Sequence, residues 1–325
     1  MQIFFFEAFE EEAAEIRRFL PDHVEAGFSW KTIQEYGSDQ LPASIISVRT
    51  QSAIPEAWAG QLQAILTRST GYDHLTAYRQ RTGVDVHCGY LPLYCNRAVA
   101  EQAMLLWMSL MRKLPQQVTN FRNFHRDGIT GRETEKKKLL VVGVGNIGSQ
   151  VARIGRGLDM DVLCVDIDKK YPDEKYVSIE EGLSVADVVV CAMNLTEQNY
   201  GYFNYQRLKQ AKPGLVFINI SRGEQSPSTD LLRLLDEEHL SGVGMDVYIN
   251  EKELAVSLRD GKSSKDTEVE ATLTLSEKPN VIFTPHNAFN TVEAVEKKAG
   301  ESVDQLMHYL EHGKFFATIP HSHTI

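Results

Sequence analysis

Three residues in the C-terminal half carry side chains that could act together on one carbonyl group. Arg222 follows the run Leu215 to Ile220, Glu251 lies five residues past the run Gly242 to Asp246, and His286 follows Val281 to Thr284. Each run is short and apolar, as a strand buried on both faces of a parallel sheet must be. In such sheets ligands bind beyond the carboxyl ends of the strands, so the residues just past each run are where chemistry is to be sought. A guanidinium grips a carboxylate through two parallel hydrogen bonds and polarises the carbonyl beside it. An imidazolium can deliver a proton to that carbonyl's oxygen. A carboxylate paired with the imidazole orients the ring and keeps it a competent acid. Taken singly, each has an ordinary reading: a solvated arginine, a turn histidine behind Pro285, one acid of the charged run Glu251, Lys252, Glu253. Their common place after sheet strands is what joins them.

A proton and a carbonyl still need a source of two electrons, and the stretch Lys138 to Asp168, KLLVVGVGNIGSQVARIGRGLDMDVLCVDID, points to one. Leu139 to Val142 reads as a buried strand that breaks into Gly143-Val144-Gly145-Asn146-Ile147-Gly148. Ile147, Val151, Ile154 and Leu158 then recur at helical spacing, and a second apolar run, Val162 to Val165, ends in Asp166. This strand, glycine turn, helix, strand and acid make one βαβ unit that suits a dinucleotide. Gly143 permits the turn, Gly145 lets a diphosphate approach the backbone, and Gly148 lets helix and strand pack closely. The helix start offers unpaired N–H groups and the positive end of its dipole. Asp166, 18 residues after Gly148, can accept hydrogen bonds from the ribose hydroxyls and would repel a 2′-phosphate. NAD is therefore expected over NADP.

These residues need a sizeable scaffold. A chain of 325 residues can hold two domains with cores of their own. Its net charge of −10, without a basic cluster, argues against a nucleic-acid partner or an anionic membrane. The apolar run near the N-terminus is too short and too soon acidic for a signal peptide. Ala98 to Met111 stops short of a membrane span. Cys88, Cys95, Cys164 and Cys191 show no C-x-x-C pair, which predicts free thiols in a reducing cytoplasm and no metal site.

In chain order, Gln2 to Phe6, Ala43 to Val48, Ala64 to Thr67 and, more weakly, Asp85 to Cys88 read as strands. Phe9, Ala13, Ile16 and Leu20 mark one face of a helix. Ala98 to Leu114 reads as a long helix, and Gln116 to Lys137 as a polar surface excursion. After Asp166, the runs Asp187 to Ala192, Leu215 to Ile220, Gly242 to Asp246 and Val281 to Thr284 continue a doubly wound parallel sheet. Glu251 to Lys278 is charged with no clear period. Val292, Val295, Ala299, Val303, Leu306 and Leu310 form an amphipathic helix expected to return to the first domain, making that domain discontinuous.

The motifs Thr67 to His74, Ala98-Val99-Ala100-Glu101, Gly143 to Gly148, Asn219 to Gly223, Asp246 to Glu251 and Pro285-His286-Asn287-Ala288 together resemble the D-isomer-specific 2-hydroxyacid dehydrogenase family. The resemblance spans nearly the whole chain and leans towards its D-lactate dehydrogenase-like branch. It implies an α/β protein: a Rossmann-type NAD domain, 99–292, inserted in a smaller flavodoxin-like substrate domain, 1–98 and 293–325. It also implies a cleft between them and a homodimer. The implied activity is NAD-dependent reduction of a small, pyruvate-like 2-oxo acid to the D-2-hydroxy acid. In that reading Arg222, Glu251 and His286 are catalytic. Asn194, Thr196, Ile220, Ser221 and Asp246 join the glycine loop at the cofactor, and Asp246 is a carboxamide or ribose partner rather than a base. Ser69, Thr70 and Gly71 hold the substrate carboxylate through backbone amides, with Tyr94 and Phe289 nearby. Two rival readings are an NAD-sensing regulator on the same scaffold and a reductase of glyoxylate or hydroxypyruvate. The chain departs from the family pattern at Cys191 to Asn194, where a proline-containing turn is usual, and in the polar stretch Gly223 to Pro227. Phe289 stands where lactate enzymes often have tyrosine.

Overall fold

A computed structural model describes residues 1–261 and 263–320. The chain divides into two compact units, Met1–Cys95 with the segment from Asn290 onward, and Asn96–Phe289. Both crossings fall slightly before the expected 98/99 and 292/293. Residue 262, within the expected excursion, and 321–325, the end of the expected first domain, lie outside the described residues.

The first unit is built on five parallel strands, β1 (Ile3–Phe5), β2 (Ala26–Phe28), β3 (Ile45–Val48), β4 (Ala64–Thr67) and β5 (His87–Gly89), in the order β2-β1-β3-β4-β5. Every residue of β1, β3 and β4 is buried, which is why these runs show no polar alternation. Phe6, Ile46, Trp58, Ile65 and Tyr78 form the core on one face. The edge strand β2 is only half-buried and gives no apolar run, so the sequence does not announce it. The weak strand at Asp85 to Cys88 is displaced to His87–Gly89.

The helix Val292–His312 belongs to this unit and packs along the helix Glu10–Phe19. The buried stripe of Glu10–Phe19 is Glu12, Ala13 and Ile16, and Phe9, expected on it, is exposed. Phe9 precedes the helix in extended backbone, so its side chain leaves the helical face, and Glu12, one turn before Ile16, takes the inward position. The Glu12 carboxylate accepts from Arg68 Nε at 2.8 Å and pairs with Lys298 Nζ at 3.0 Å. Arg68 also donates to Ser47 Oγ and to Phe6 O. Burial alone would raise the Glu12 carboxyl, but Arg68, Lys298 and Arg49 overcome that and hold it at about 2.

In the second unit β6 (Lys138–Val142), β7 (Asp161–Val165), β8 (Val188–Cys191), β9 (Leu215–Asn219), β10 (Leu240–Met245) and β11 (Val281–Phe283) form one parallel sheet, ordered β11-β10-β9-β8-β6-β7. The chain reverses its winding between β7 and β8, so the crevice outside β6 and β8 is the switch point. The expected long helix is Asn96–Met111. It stops where Lys113 takes a left-handed φ of 51°, and a shorter helix, Leu114–Asn120, follows. The aperiodic stretch after Glu251 is two helices, Glu251–Asp260 and Thr267–Ser276. The loop joining them hides their phases when the stretch is read as one segment. Among the described residues no helix is long and apolar enough to cross a membrane, no metal-ligating cluster occurs, and all four cysteines are free and buried.

The buried triad yields a stability prediction. Because the Glu12 carboxyl titrates below its ordinary 4.5, its contribution is complete above about pH 4.5 and lost as pH falls towards 2. Glu12→Gln leaves two buried cations without their carboxylate and should cost about 3–5 kcal/mol at neutral pH. Urea unfolding of both proteins should show that gap shrinking in acid. A gap that stays constant down to the lowest accessible pH would exclude an ionised Glu12 as its source.

Candidate active site

The strands of the second unit end together. Val165, Val142, Cys191, Asn219, Met245 and Phe283 lie opposite one another across all six strands, forming one transverse row. The residues one step beyond are Asp166, Gly143, Ala192, Ile220, Asp246 and Thr284. Several are tied back to the neighbouring strand: Gly143 N to Val165 O, Ala192 N to Val142 O, Asp246 N to Asn219 O and Thr284 N to Met245 O. The loops expected to carry chemistry therefore start at one edge of one sheet.

At the switch point the glycine turn fits a diphosphate. Gly143 has a φ of +90°, and a Cβ on it would stand 2.6 Å from Met193 N, while a Cβ on Gly148 would stand 1.9 Å from Gly143 O. The turn is thus pressed against both its own helix, Asn146–Gly157, and the segment after β8. Outside Gly145 nothing lies within 4 Å of a Cβ position, so a ligand can approach there. Gly145 is also the N-cap and gives the helix no side-chain cap. Asp166 accepts from Val144 N and from Asp168 N; it holds the turn as well as facing its edge. Ile167, next in sequence and fully exposed, offers an apolar surface that the sequence reading did not single out.

The turn after β8 takes its shape from the polar stretch that follows β9. Ser221 Oγ donates to Met193 O. The buried Gln225 donates from Nε2 to Asn194 O at 3.2 Å and accepts from Cys191 Sγ at 3.2 Å. Asn194 O also accepts from Asn199 Nδ2, and Thr196 N donates to Asn199 Oδ1. Where the family has a proline, side-chain amides of Gln225 and Asn199 fix the backbone instead. The unusual polarity after Arg222 was the sequence signal for this.

Glu251 and His286 meet. His286 Nδ1 lies 2.9 Å from Glu251 Oε2, with both side chains a little over one quarter exposed. The other carboxylate oxygen of Glu251 accepts from Tyr248 N. Left-handed backbone sets both: His286 itself stands at φ 51°, and Asn250, the cap of the helix that Glu251 begins, at φ 55°, a conformation disfavoured for residues with a Cβ. Asp246 holds the histidine loop: it accepts from Thr284 Oγ1, from Asn287 N at 2.9 Å and from Ala288 N at 2.8 Å. Burial raises its carboxyl, against the pull of those bonds and of His286. The expectation that Asp246 meets a carboxamide or ribose is revised accordingly. At 1% exposure and with three internal donors, its carboxylate serves as an anchor.

Arg222 lies past β9 in extended backbone, and its Nη1 donates to Ser221 O at 2.8 Å. Asn219 shapes this segment by accepting from Ser221 N and donating to Arg222 O. The following Gly223 is pressed against the backbone before Glu251, where a Cβ would lie 2.0 Å from Tyr248 C. In the first unit, the hydroxyls of the expected carboxylate loop face inward. Ser69 Oγ bonds Gly71 O and Thr67 Oγ1, and Thr70 Oγ1 bonds Leu91 O. Tyr94, expected to face a ligand, is buried instead, with Lys298 Nζ 5.9 Å from its ring. Phe289 closes the second unit and is half-buried.

Residues 104–288 match the family described as D-isomer specific 2-hydroxyacid dehydrogenase, NAD binding domain. The chain belongs to the D-isomer-specific 2-hydroxyacid dehydrogenase family. It is 33% identical over 233 residues to a D-lactate dehydrogenase of Escherichia coli (strain K12), covering 69% of each chain. It is 29% identical over 329 aligned positions to a D-lactate dehydrogenase of Streptococcus agalactiae, covering 96% of this chain and 98% of that one. A crystal structure of D-lactate dehydrogenase from Aquifex aeolicus, complexed with NAD and lactic acid, matches with a TM-score of 0.85 at 27% identity, over 97% of this chain and 99% of the other. The chain is thus an NAD-dependent oxidoreductase of the D-lactate dehydrogenase-like branch of this 2-hydroxyacid dehydrogenase family. Gly223 supplies the test of the geometry. Gly223→Ala must displace the backbone at Tyr248 and Ile249, and it should lower kcat/KM by more than about tenfold while NADH binding, read by fluorescence titration, is kept. Unchanged turnover would show that the two loops are not mechanically joined.

Proposed function

We propose that this dehydrogenase reduces a small 2-oxo acid of the pyruvate class to the D-2-hydroxy acid. The observation that carries the reading is the Glu251–His286 pair at 2.9 Å, beside the strand end that bears Arg222. Gly143, Gly145, Asn146, Ile147 and Gly148 hold the dinucleotide's diphosphate, Asp166 its ribose, and Asn194, Thr196, Ile220 and Ser221 line the rest of it. Bound NADH supplies the hydride. Arg222 grips the substrate carboxylate and draws electron density from the adjacent carbonyl, while the amides of Ser69, Thr70 and Gly71 meet the same carboxylate. Because Nδ1 of His286 is engaged by Glu251, the proton that reaches the carbonyl oxygen leaves from Nε2. The ring is then neutral, with its remaining proton on Nδ1 facing the carboxylate.

The homodimer implied by the family resemblance is supported by Val118, Phe121 and Phe124, three large apolar side chains left exposed on one segment of the second unit. Buried free thiols fit a reducing cytoplasm.

Steady-state assays with NADH and pyruvate, glyoxylate, hydroxypyruvate and bulkier 2-oxo acids should rank pyruvate or a close homologue first. A preference for glyoxylate or hydroxypyruvate would move the substrate class, and no turnover with any acid would sink the reading. Arg222→Lys should cost about 1–3 kcal/mol of transition-state binding, since an ammonium lacks the planar fork. Its effect should fall on the oxo acid, and unchanged oxo-acid kinetics would place the clamp elsewhere. Glu251→Gln keeps a hydrogen-bonding partner for Nδ1 but removes the carboxylate's charge, and should lower kcat for reduction by about tenfold or more while NADH affinity is kept. Unchanged kcat would show that the ring needs no anionic partner.

A further inference from the structure

One buried carboxylate in the first unit faces two buried cations. Arg68, directly after β4, and Lys298, on the helix Val292–His312, both pair with Glu12, so this group of three carries one more positive than negative charge. Glu7 is occupied with the N–H groups of Arg49 and Ser52. Glu12 already has a fully enclosed partner in Arg68, at 0% exposure. Lys298, at 1% exposure, is therefore not needed to neutralise it, and a second desolvated cation on one carboxylate is a net cost to folding. An apolar side chain of similar length would serve the packing better.

Lys298 also stands one carboxylate away from Arg68, the first residue of the loop Arg68–Gly71. Its Nζ is 5.9 Å from the Tyr94 ring. The adjoining Cys95 feels its charge, and Cys95 Sγ stands 3.5 Å from Thr70 Oγ1. Arg68 itself opens the loop. We propose that Lys298 is a positioning residue for the substrate, its buried ammonium supplying the excess charge that draws the oxo acid's carboxylate to the amides of Ser69, Thr70 and Gly71. This rests on the reading that the loop holds that carboxylate. Being buried, the charge acts with little screening by salt.

Among the groups facing Lys298 are Glu12 from the helix Glu10–Phe19, Arg49 after β3, Arg68 after β4, and Tyr94 and Cys95 after β5. Burial raises both the Tyr94 hydroxyl and the Cys95 thiol. Burial lowers the Lys298 ammonium to about 8, with Glu12 pulling it up and Arg49 and Arg68 pushing it further down. The charge is thus present at pH 7 and lost as pH rises through 8, so attraction for the carboxylate weakens in the same range.

Lys298→Met keeps the length of the side chain and removes the charge. At pH 7 it should raise KM for the best 2-oxo acid, and the dissociation constant of oxamate from the NADH complex, by roughly fivefold, with kcat and NADH affinity unchanged. Oxamate carries the same carboxylate but accepts no hydride. Between pH 7 and 9 the wild-type values should climb towards those of the variant, so that their ratio approaches one. Any pH dependence common to both proteins cancels in that ratio. A variant equal to wild type at pH 7, or a ratio constant across pH, overturns the role. Should Lys298→Met fail to fold, Lys298→Arg keeps a charge that does not titrate. The ratio of the wild-type oxamate constant to that of Lys298→Arg must then climb between pH 7 and 9, and a constant ratio overturns the proposal. Absence of wild-type turnover with every 2-oxo acid overturns the functional reading and this inference with it, whereas turnover indifferent to Lys298→Met overturns only the role given to Lys298.

Discussion

The in-register ending of six parallel strands is the constraint on which the second unit depends. Val165, Val142, Cys191, Asn219, Met245 and Phe283 share one row, and the groups with chemistry to do hang from its edge. A slip of one residue in any pair would turn that strand's side chains to the opposite face. It would also shift Arg222 or His286 by roughly 3.3 Å along the strand direction. Burial on both faces of the sheet fixes the register, since the β9 side chains have no solvent-facing alternative. The hydrophobic core is therefore what sets the chemical geometry, and the loops inherit it.

Beyond the row, short-range forces take over, and they work against local backbone preference. His286 and Asn250 both adopt left-handed backbone, each at a cost of order 1 kcal/mol or more. Asp246 offsets it with three hydrogen bonds into the histidine loop, and the Tyr248 hydroxyl adds a bond shared by Met245 O and Thr284 O. A buried carboxylate is an expensive anchor. It is a stiff one, because every donor it loses would leave charge unsatisfied. Gly223 completes the arrangement by bringing the arginine segment to van der Waals distance of the loop that leads to Glu251. Three loops from three strands are thus constrained as one body, without any direct bond from Arg222 to the acid–imidazole pair being required.

Much of this was legible in the sequence, for reasons that also mark where legibility ended. The βαβ unit could be read because Leu139 to Gly148 combines an apolar run with three spaced glycines, two of which, Gly143 and Gly148, leave no room for a Cβ. The positions of Arg222, Glu251 and His286 could be read because strand ends are visible as ends of apolar runs. The helices Glu251–Asp260 and Thr267–Ser276 could not, since two amphipathic phases joined by a loop sum to no period. β2 could not either, because a half-buried edge strand of three residues carries almost no pattern. Among side chains, Asp246 was placed correctly after its strand but given a ligand. Sequence tells that a carboxylate is at the edge and says nothing of the N–H groups that a turn will aim at it. Glu12 and Lys298 were missed for a related reason. Charged residues in amphipathic helices read as solvated until a second charged residue, distant in sequence, is known to face them.

The two units carry different kinds of electrostatics. In the second, Glu251 and His286 keep more than a quarter of their side-chain surface, so they can exchange protons and make contact, but their influence is short-ranged because water screens it. In the first, Glu12, Arg68 and Lys298 have almost no surface. They can touch no ligand, yet their field falls off slowly because little solvent intervenes. A contact residue must be matched to the reacting atoms within tenths of an ångström, whereas a buried charge need only lie on the correct side of the loop. That difference explains why Glu251 and His286 fall in a readable motif, while a buried charge such as Lys298 shows none.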